Sequence, residues 1–123
     1  MSLSFGFVRE ILPREQRVAI TPAGIEQLTA QELPVLVESG AGDGARFSDA
    51  DFLAAGAQIR LSAGEVAEDA DVLVKLHGPT AEEADQLKPG GTLLGFLHLW
   101  SPREQHLRQN LRDRGMTAIA YEL

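Results

Sequence analysis

The segment Val72-Leu73-Val74-Lys75-Leu76 is apolar on both faces of an extended strand, except at one lysine. Such continuous apolarity is typical of a parallel sheet that helices cover on both sides. Helical patterns alternate with further apolar runs, so the sequence predicts about six strands and five helices in a βαβ rhythm. The fold class that we expect is α/β, with a mostly parallel sheet and helices on both faces. The other predicted strands are Phe5–Arg9, Val35–Glu38, Ala57–Arg60, Thr92–Leu97 and Thr117–Tyr121.

Hydroxyl side chains mark the predicted starts of the helices. Thr21 and Ser101 each stand before a proline, which suits the first position of a helix. The last helix is expected to end near Gly115, because a glycine suits a left-handed cap. A hydroxyl followed three residues later by a carboxylate is the pattern of a capping box. This pattern occurs at Ser101…Glu104, Thr80…Glu83, Ser62…Glu65 and, in a weaker form, at Ser48…Asp51.

Composition narrows the class of protein. The chain has 123 residues, 44% hydrophobic and 24% charged, which fits one folded domain over residues 1–123. The absence of cysteine excludes disulfides, thiolate metal sites, iron–sulfur clusters and cysteine nucleophiles. The net charge of −7 disfavours nucleic acid and anionic membranes as partners. No apolar run reaches the roughly 18 residues of a membrane span, and no signal peptide is recognisable. We therefore expect a cytoplasmic protein without a metal site, a nucleic-acid partner or a membrane span.

The glycine-rich stretch Gly40-Ala41-Gly42-Asp43-Gly44 follows a predicted strand and invites comparison with a dinucleotide site. That fingerprint requires the spacing G-x-G-x-x-G, with the third glycine packed at the start of a helix. The spacing here is G-x-G-x-G, and Asp43 would bring negative charge near a pyrophosphate. The sequence therefore predicts a structural turn and no cofactor-binding residues.

Four basic residues occupy positions that suit a binding site. Strand alternation predicts Lys75 and His77 on one face, near the carboxyl end of their strand, where open parallel sheets bind ligands. His98 ends the next apolar strand, and Arg17 precedes the first helix. Arginine binds carboxylates through two parallel hydrogen bonds, and histidine transfers protons near neutral pH. Together these residues predict a cationic pocket for a small carboxylate.

Each of these residues also has a structural interpretation. A buried lysine must be paired, so the alternative for Lys75 is an ion pair with Glu10 or Asp71. A histidine at the end of a strand is often a satisfied structural residue, and an arginine after a charged loop often forms a surface salt bridge. Two charged stretches are expected on solvated faces or in helix caps: Glu15-Gln16-Arg17 and Glu82-Glu83.

The order of seven segments makes the chain resemble a known family, the N-terminal domain of alanine dehydrogenases and pyridine nucleotide transhydrogenases. The resemblance is closer to the alanine dehydrogenase branch. It implies a three-layer Rossmann-like domain on the substrate side of an NAD- or NADP-dependent oxidoreductase. The matching segments are Phe5–Glu10, Glu15–Gly24, Val37–Ala45, Ala54–Ala57, Val72–Lys75, Phe96–Leu99 and Thr117–Glu122.

The resemblance also implies roles for the basic residues. In the alanine dehydrogenase branch an arginine and a lysine hold pyruvate or alanine, and a histidine takes part in acid–base chemistry. By motif position, Arg17 matches the arginine and His98 the histidine. The family's K-V-K-E-P stretch reads Lys75-Leu76-His77-Gly78-Pro79 here, so His77 occupies the position of the substrate lysine. Three interpretations stay open: protonated His77 binds substrate, Lys75 reaches it from the same face, or the alanine activity is lost or changed.

Family members continue into a domain that binds NAD or NADP. The resemblance therefore implies that this chain is a fragment of a longer two-domain dehydrogenase and is inactive alone, or that it is a separate domain needing a partner. The expected partners are a small carboxylate (a 2-oxo acid or amino acid), the missing nucleotide-binding domain and further copies in a homo-oligomer. The alternatives are a domain of a transhydrogenase alpha subunit and a non-catalytic binding domain with the same fold.

Overall fold

The computed structural model describes residues 3–120 of the chain. Within this range the chain alternates between six strands and five α-helices, as the sequence predicts. The strands are β1 (Phe5–Phe7), β2 (Val35–Glu38), β3 (Gln58–Arg60), β4 (Val72–His77), β5 (Thr92–Phe96) and β6 (Thr117–Ala120). The helices are α1 (Pro22–Thr29), α2 (Asp49–Ala54), α3 (Ala63–Asp69), α4 (Ala81–Asp85) and α5 (Gln105–Asp113). Two short 3₁₀ helices, Asp43–Ala45 and Pro102–Glu104, complete the described elements.

All strand pairs in the described sheet are parallel, and the strand order is β3-β2-β1-β4-β5-β6. The chain starts at the central strand β1, builds outward to β3, and then crosses back to place β4 on the other side of β1. The order therefore reverses between β1 and β4. In open α/β sheets, ligands bind at the carboxyl ends of the strands beside such a switch point.

The helices cover the sheet from two sides, and each side has its own core. Ile25 of α1 and Phe52 of α2 are completely buried in one cluster with β2 and Val74. The other cluster contains residues of α3, α4 and α5, including Leu107 and Leu111, packed on Leu73 and Leu93. The domain therefore has three layers, with helices on both faces of the sheet. This arrangement confirms the predicted α/β fold class.

Local capping explains where most helices begin. The side chain of Thr21 accepts a hydrogen bond from Gly24 N–H, and Ser62 accepts one from Glu65 N–H. Reciprocal capping boxes form at Thr80…Glu83 and also at Ser48…Asp51, although the latter match was the weaker. The capping box expected at Ser101…Glu104 does not form, because the helix opens with a 3₁₀ turn. In that turn the Ser101 N–H donates to the carbonyl of His98.

Four strand bounds differ from the prediction. Strand β1 ends at Phe7, because the Arg9 N–H donates to the side chain of Glu38 at 2.7 Å and not to a backbone carbonyl of the neighbouring strand. Strand β4 extends to His77, β3 begins at Gln58, and β5 ends at Phe96. Tyr121, the predicted end of β6, lies outside the described residues.

After α5, Gly115 has a φ of +62°, as its predicted cap requires. Among residues 3–120, no helix is long and apolar enough to cross a membrane.

Candidate functional site

The candidate site lies where the carboxyl ends of β1 and β4 meet. These strands are adjacent, and Phe7 pairs with Val74. The loop after β1 carries Glu10, Glu15 and Arg17, while β4 ends at His77. These residues are distant in the sequence but close in space, because the loop follows β1 and β1 lies beside β4 at the switch point.

Arg17, Glu15 and His77 form a continuous chain of hydrogen bonds. The guanidinium of Arg17 donates from Nε to Glu15 Oε1 at 2.9 Å and from Nη2 to Oε2 at 2.8 Å. The same Oε2 lies 2.7 Å from His77 Nε2. The Arg17 side chain is 70% exposed and that of His77 33%, whereas Glu15 is only 10% exposed. The two basic side chains thus reach the solvent on either side of one covered carboxylate.

The electrostatics of this chain fix the charge on Glu15. Hydrogen bonds from Arg17 and then from His77 hold the pKa of the Glu15 carboxyl well below its usual range. In return, the hydrogen bond from Arg17 to Glu15 raises the pKa of the guanidinium. Glu15 is therefore an anion wherever the domain is folded at ordinary pH. It acts as a fixed acceptor that orients both neighbours.

Lys75 lies in a different environment. Lys75 is 1% exposed, and its Nζ lies 3.1 Å from Glu83 Oε2 and 3.6 Å from Glu10 Oε1. The predicted ion pair with Glu10 is therefore confirmed. The alternative pairing with Asp71 is wrong, because Asp71 lies at the opposite end of β4 and binds Lys88 at 2.8 Å. A role for Lys75 in acting on substrate stays a prediction.

The side chains of Lys75 and His77 contact different carboxylates, and whether they share a face of β4 stays a prediction. Lys75 pairs with Glu83 of α4 and with Glu10 of the loop after β1, whereas His77 contacts Glu15 of the same loop. The pairing of β4 with β5 shifts register between Val74 and His77, so the regular alternation on which the prediction rests is interrupted in this segment.

His98 lies one strand further along. Phe96, the last residue of β5, is the pairing partner of His77, and His98 follows two residues later. His98 is exposed and has a positive φ of 51°. Its ring lies edge-on to Trp100, with ring centroids 6.3 Å apart. The structure thus brings Arg17 and His77 together through Glu15 and places His98 at the end of the neighbouring strand.

Sequence analysis missed the roles of two carboxylates. Glu15 was expected on a solvated face or in a helix cap, but its carboxylate is hydrogen-bonded to both Arg17 and His77. Glu83 does cap α4, as expected, and it also pairs with Lys75. The available signal for Glu15 was its spacing, two residues before Arg17 in a loop that follows a buried strand.

The loop after β1 and the glycine turn enclose a cavity of about 560 Å³. Glu10, Glu15 and Arg17 line it on one side, and Gly40 and Gly44 on the other. Most of its lining residues follow the carboxyl ends of β1 and β2. The exposed edge of Arg17 therefore borders a space large enough for a small organic anion.

The glycine turn itself is a packed structural element. A Cβ atom on Gly42 would lie 2.5 Å from a ring carbon of Phe52, and one on Gly44 would lie 2.8 Å from the Gln16 carbonyl. The Gly40 N–H, which a phosphate would need, already donates to Asp49 at 2.9 Å. These contacts confirm the predicted structural turn and do not fit a pyrophosphate.

No group of three or more histidine or acidic residues suited to a metal ion occurs within residues 3–120.

Comparison with known families decides the ancestry of the chain. The model of the family described as "Alanine dehydrogenase/PNT, N-terminal domain" matches residues 6–123. The chain belongs to this family. This assignment agrees with the three-layer fold and confirms the resemblance carried by the motifs.

Individual relatives match along nearly the whole chain. Alanine dehydrogenase of Mycobacterium tuberculosis (strain H37Rv) is 46% identical over 95% of this chain, and that of Halomonas elongata is 44% identical over 93%. The NAD(P) transhydrogenase subunit alpha of Cereibacter sphaeroides is 36% identical over 98%. These alignments cover 31%, 30% and 23% of the respective relatives, so the chain spans about a third of their length or less.

Solved structures give the same result. The domain superposes on an L-alanine dehydrogenase with a TM-score of 0.90 at 36% identity, covering 98% of this chain and 32% of the other. It superposes on a transhydrogenase from Sinorhizobium meliloti with a TM-score of 0.85 at 28% identity, covering 95% of this chain and 34% of the other. Both branches of the family therefore share this fold.

Proposed function

We propose that this chain is the substrate-side domain of a dehydrogenase that interconverts an amino acid with its 2-oxo acid and ammonia. The similarity to proteins named alanine dehydrogenase supports the reaction class. The observation that carries the placement of the substrate is the hydrogen-bonded chain of Arg17, Glu15 and His77 at the switch point. In this proposal residues 1–123 form one domain of a longer protein, which assembles as a homo-oligomer.

In this proposal Arg17 binds the substrate carboxylate. Glu15 occupies the edge of the guanidinium formed by Nε and Nη2. The edge formed by Nη1 and Nη2 then faces the solvent, because the side chain is largely exposed. Two parallel hydrogen bonds from that edge match the geometry of a carboxylate. Glu15 thus orients Arg17 and leaves it a binding edge.

In this proposal His77 polarises the carbonyl or imine group of the substrate. Because Glu15 engages Nε2, the other ring nitrogen remains for the substrate, and in the protonated ring it donates to the carbonyl oxygen. Lys75 is the alternative donor for this task, but Nζ would have to leave Glu83 and Glu10 to reach the substrate. His98, at the end of the adjacent strand, supports proton transfer or binds the substrate oxygen.

We propose that NAD or NADP is the redox cofactor and that a domain outside this chain binds it. Two observations support this division. The glycine turn is filled by its own packing, and its Gly40 N–H is already bonded. The relatives are also about three times as long as the chain.

The test is a steady-state analysis of the full-length protein with pyruvate, ammonia and reduced cofactor. Replacing Arg17 with alanine removes the charged hydrogen bonds to the carboxylate, so we expect the KM for pyruvate to rise roughly 10- to 100-fold. Arg112→Ala, at an exposed arginine of α5 that does not line the cavity, serves as the control and leaves KM unchanged. An unaltered KM in Arg17→Ala contradicts the proposed role.

A second candidate is a transhydrogenase, in which hydride passes between two nucleotides and no small carboxylate is bound. The similarity to the transhydrogenase alpha subunit and the histidine at position 77 favour it. Alanine-dependent reduction of NAD, assayed beside hydride transfer between nucleotides, separates the two activities. If both assays are silent and pyruvate causes no shift of the His77 or His98 resonances, the non-catalytic binding domain is favoured.

A further inference from the structure

Next to the chain of Arg17, Glu15 and His77 lies a buried cluster of charges, formed by Lys75, Glu10 and Glu83. The side chains of Lys75, Glu10 and Glu83 are 2%, 1% and 15% exposed. Burying an ion pair in a protein interior rarely stabilises the fold more than apolar side chains of similar size. The mechanism proposed above does not use this cluster directly, so its presence calls for another explanation.

The contacts of Glu10 supply that explanation. Its two carboxylate oxygens accept the backbone N–H groups of Leu76 at 2.9 Å and of His77 at 3.1 Å. These amides lie where the pairing of β4 with β5 shifts register. Glu10 thus replaces a strand as the hydrogen-bond partner of the last residues of β4. At this irregularity the His77 Nε2 lies 2.7 Å from Glu15 Oε2.

Lys75 holds Glu10 in place from the other side. Its Nζ lies 3.6 Å from Glu10 Oε1, the same oxygen that accepts the His77 N–H. Glu83, fixed by its capping box at the start of α4, anchors Nζ at 3.1 Å. The contacts therefore run without interruption from α4 through Lys75 and Glu10 to the backbone of His77.

We propose that Glu10 and Lys75 are positioning residues, which set the backbone of β4 so that the His77 imidazole meets Glu15 beside Arg17. This inference rests on the proposed function, since it assigns a task to residues behind the same site. It gives Lys75 an indirect role. Its ammonium group stays in the interior and holds the irregular end of the strand.

The test uses the full-length protein labelled with ¹³C-histidine, with the His77 signal assigned by its loss in His77→Gln. Glu10→Gln is the principal variant. Glutamine keeps the size and one acceptor oxygen but turns an amide NH₂ toward one of the two backbone N–H groups. We expect the His77 ring signal to move, and the KM for pyruvate to rise about tenfold with a smaller change in kcat. Lys75→Met is the second variant and is expected to act in the same direction.

Lys88→Met is the matched control, because it removes a lysine–carboxylate pair at the opposite end of β4. It leaves the His77 signal and the KM unchanged. If Glu10→Gln leaves the His77 signal where it is in the folded protein, the positioning role is overturned, whatever the kinetics. If the signal moves but neither Glu10→Gln nor Arg17→Ala alters the KM for pyruvate, the positioning role stands and the proposed function fails.

Discussion

The two ends of β4 hold their charges in different ways. At the amino end, Asp71 binds Lys88 at 2.8 Å and receives the N–H and hydroxyl of Ser4. Both charged side chains are more than a third exposed, and the contacts tie the start of β4 to the residue before β1. At the carboxyl end the lysine is buried, and the exposed groups are Arg17 and His77.

This difference distinguishes a structural ion pair, at the amino end of β4, from the proposed binding site at its carboxyl end. At the amino end the charged side chains form one ion pair, and the hydrogen bonds of its carboxylate connect two strands. At the carboxyl end, a buried charged cluster adjoins the more exposed side chains of Arg17 and His77. Exact placement of exposed groups is what binding requires, and the switch point is where α/β sheets bind ligands. The predictions below test this contrast.

The largest expected effect is on stability and comes from the buried lysine. Lys75→Met leaves Glu10 and Glu83 without their shared cation, so we expect a loss of about 3–5 kcal/mol in the free energy of unfolding. Lys88→Met breaks an exposed pair and is expected to cost less than about 1 kcal/mol. Urea unfolding of both variants measures the difference. Equal losses would remove the contrast between the two ends of β4.

The glycine turn at the carboxyl end of β2 gives the next effect and shows that not every feature at this edge serves a ligand. Gly42→Ala forces a methyl group against Phe52, and overpacking of this kind costs about 1–3 kcal/mol. Gly64→Ala is the control, because the nearest atom outside its own helix, Oε1 of Gln86, would lie 3.6 Å from its Cβ and alanine favours the helix. Thermal unfolding of the two variants tests the structural interpretation. A neutral Gly42→Ala would contradict it.

The smallest effect is the pH dependence of the amino end. The hydrogen bond from Lys88, followed by those from Ser4, lowers the pKa of Asp71 to about 2. Since the folded pKa lies below the unfolded value of 3.8, the stabilisation is complete above that value and is lost as pH falls toward 2. Because the side chain is partly exposed, we expect at most about 1 kcal/mol.

Comparing the chain with Asp71→Asn by urea unfolding at about pH 5 and about pH 3 isolates this contribution. The difference between the two proteins should be larger at the higher pH. If it is the same at both values, the ion pair at the amino end contributes nothing that depends on ionisation.

The sequence predicts the elements well because the signals for them are local. Apolar runs and hydroxyl caps lie within a few residues of the structures that they specify, as at Thr80…Glu83. The fold class also follows from simple rules about burial, as does the pairing of Lys75 with a carboxylate, although only the structure distinguishes Glu10 from Asp71. The same rules place Arg17 and His77 near the carboxyl edge of the sheet.

The arrangement of the site does not follow from local signals. That Glu15 joins Arg17 to His77 depends on where a loop of the first strand crosses the fourth. The different partners of Lys75 and His77 accompany an irregularity in strand pairing, which alternation alone does not reveal. Such features arise from tertiary contacts between segments more than 60 residues apart, such as Glu10 with His77.

The central claim is that the carboxyl end of β4, and not its amino end, receives a small carboxylate. A crystal structure of the full-length protein with pyruvate tests this claim most directly. We predict the pyruvate carboxylate on the Nη1–Nη2 edge of Arg17 and the keto oxygen within hydrogen-bond distance of His77. Pyruvate bound elsewhere, with neither residue in contact, would contradict the account.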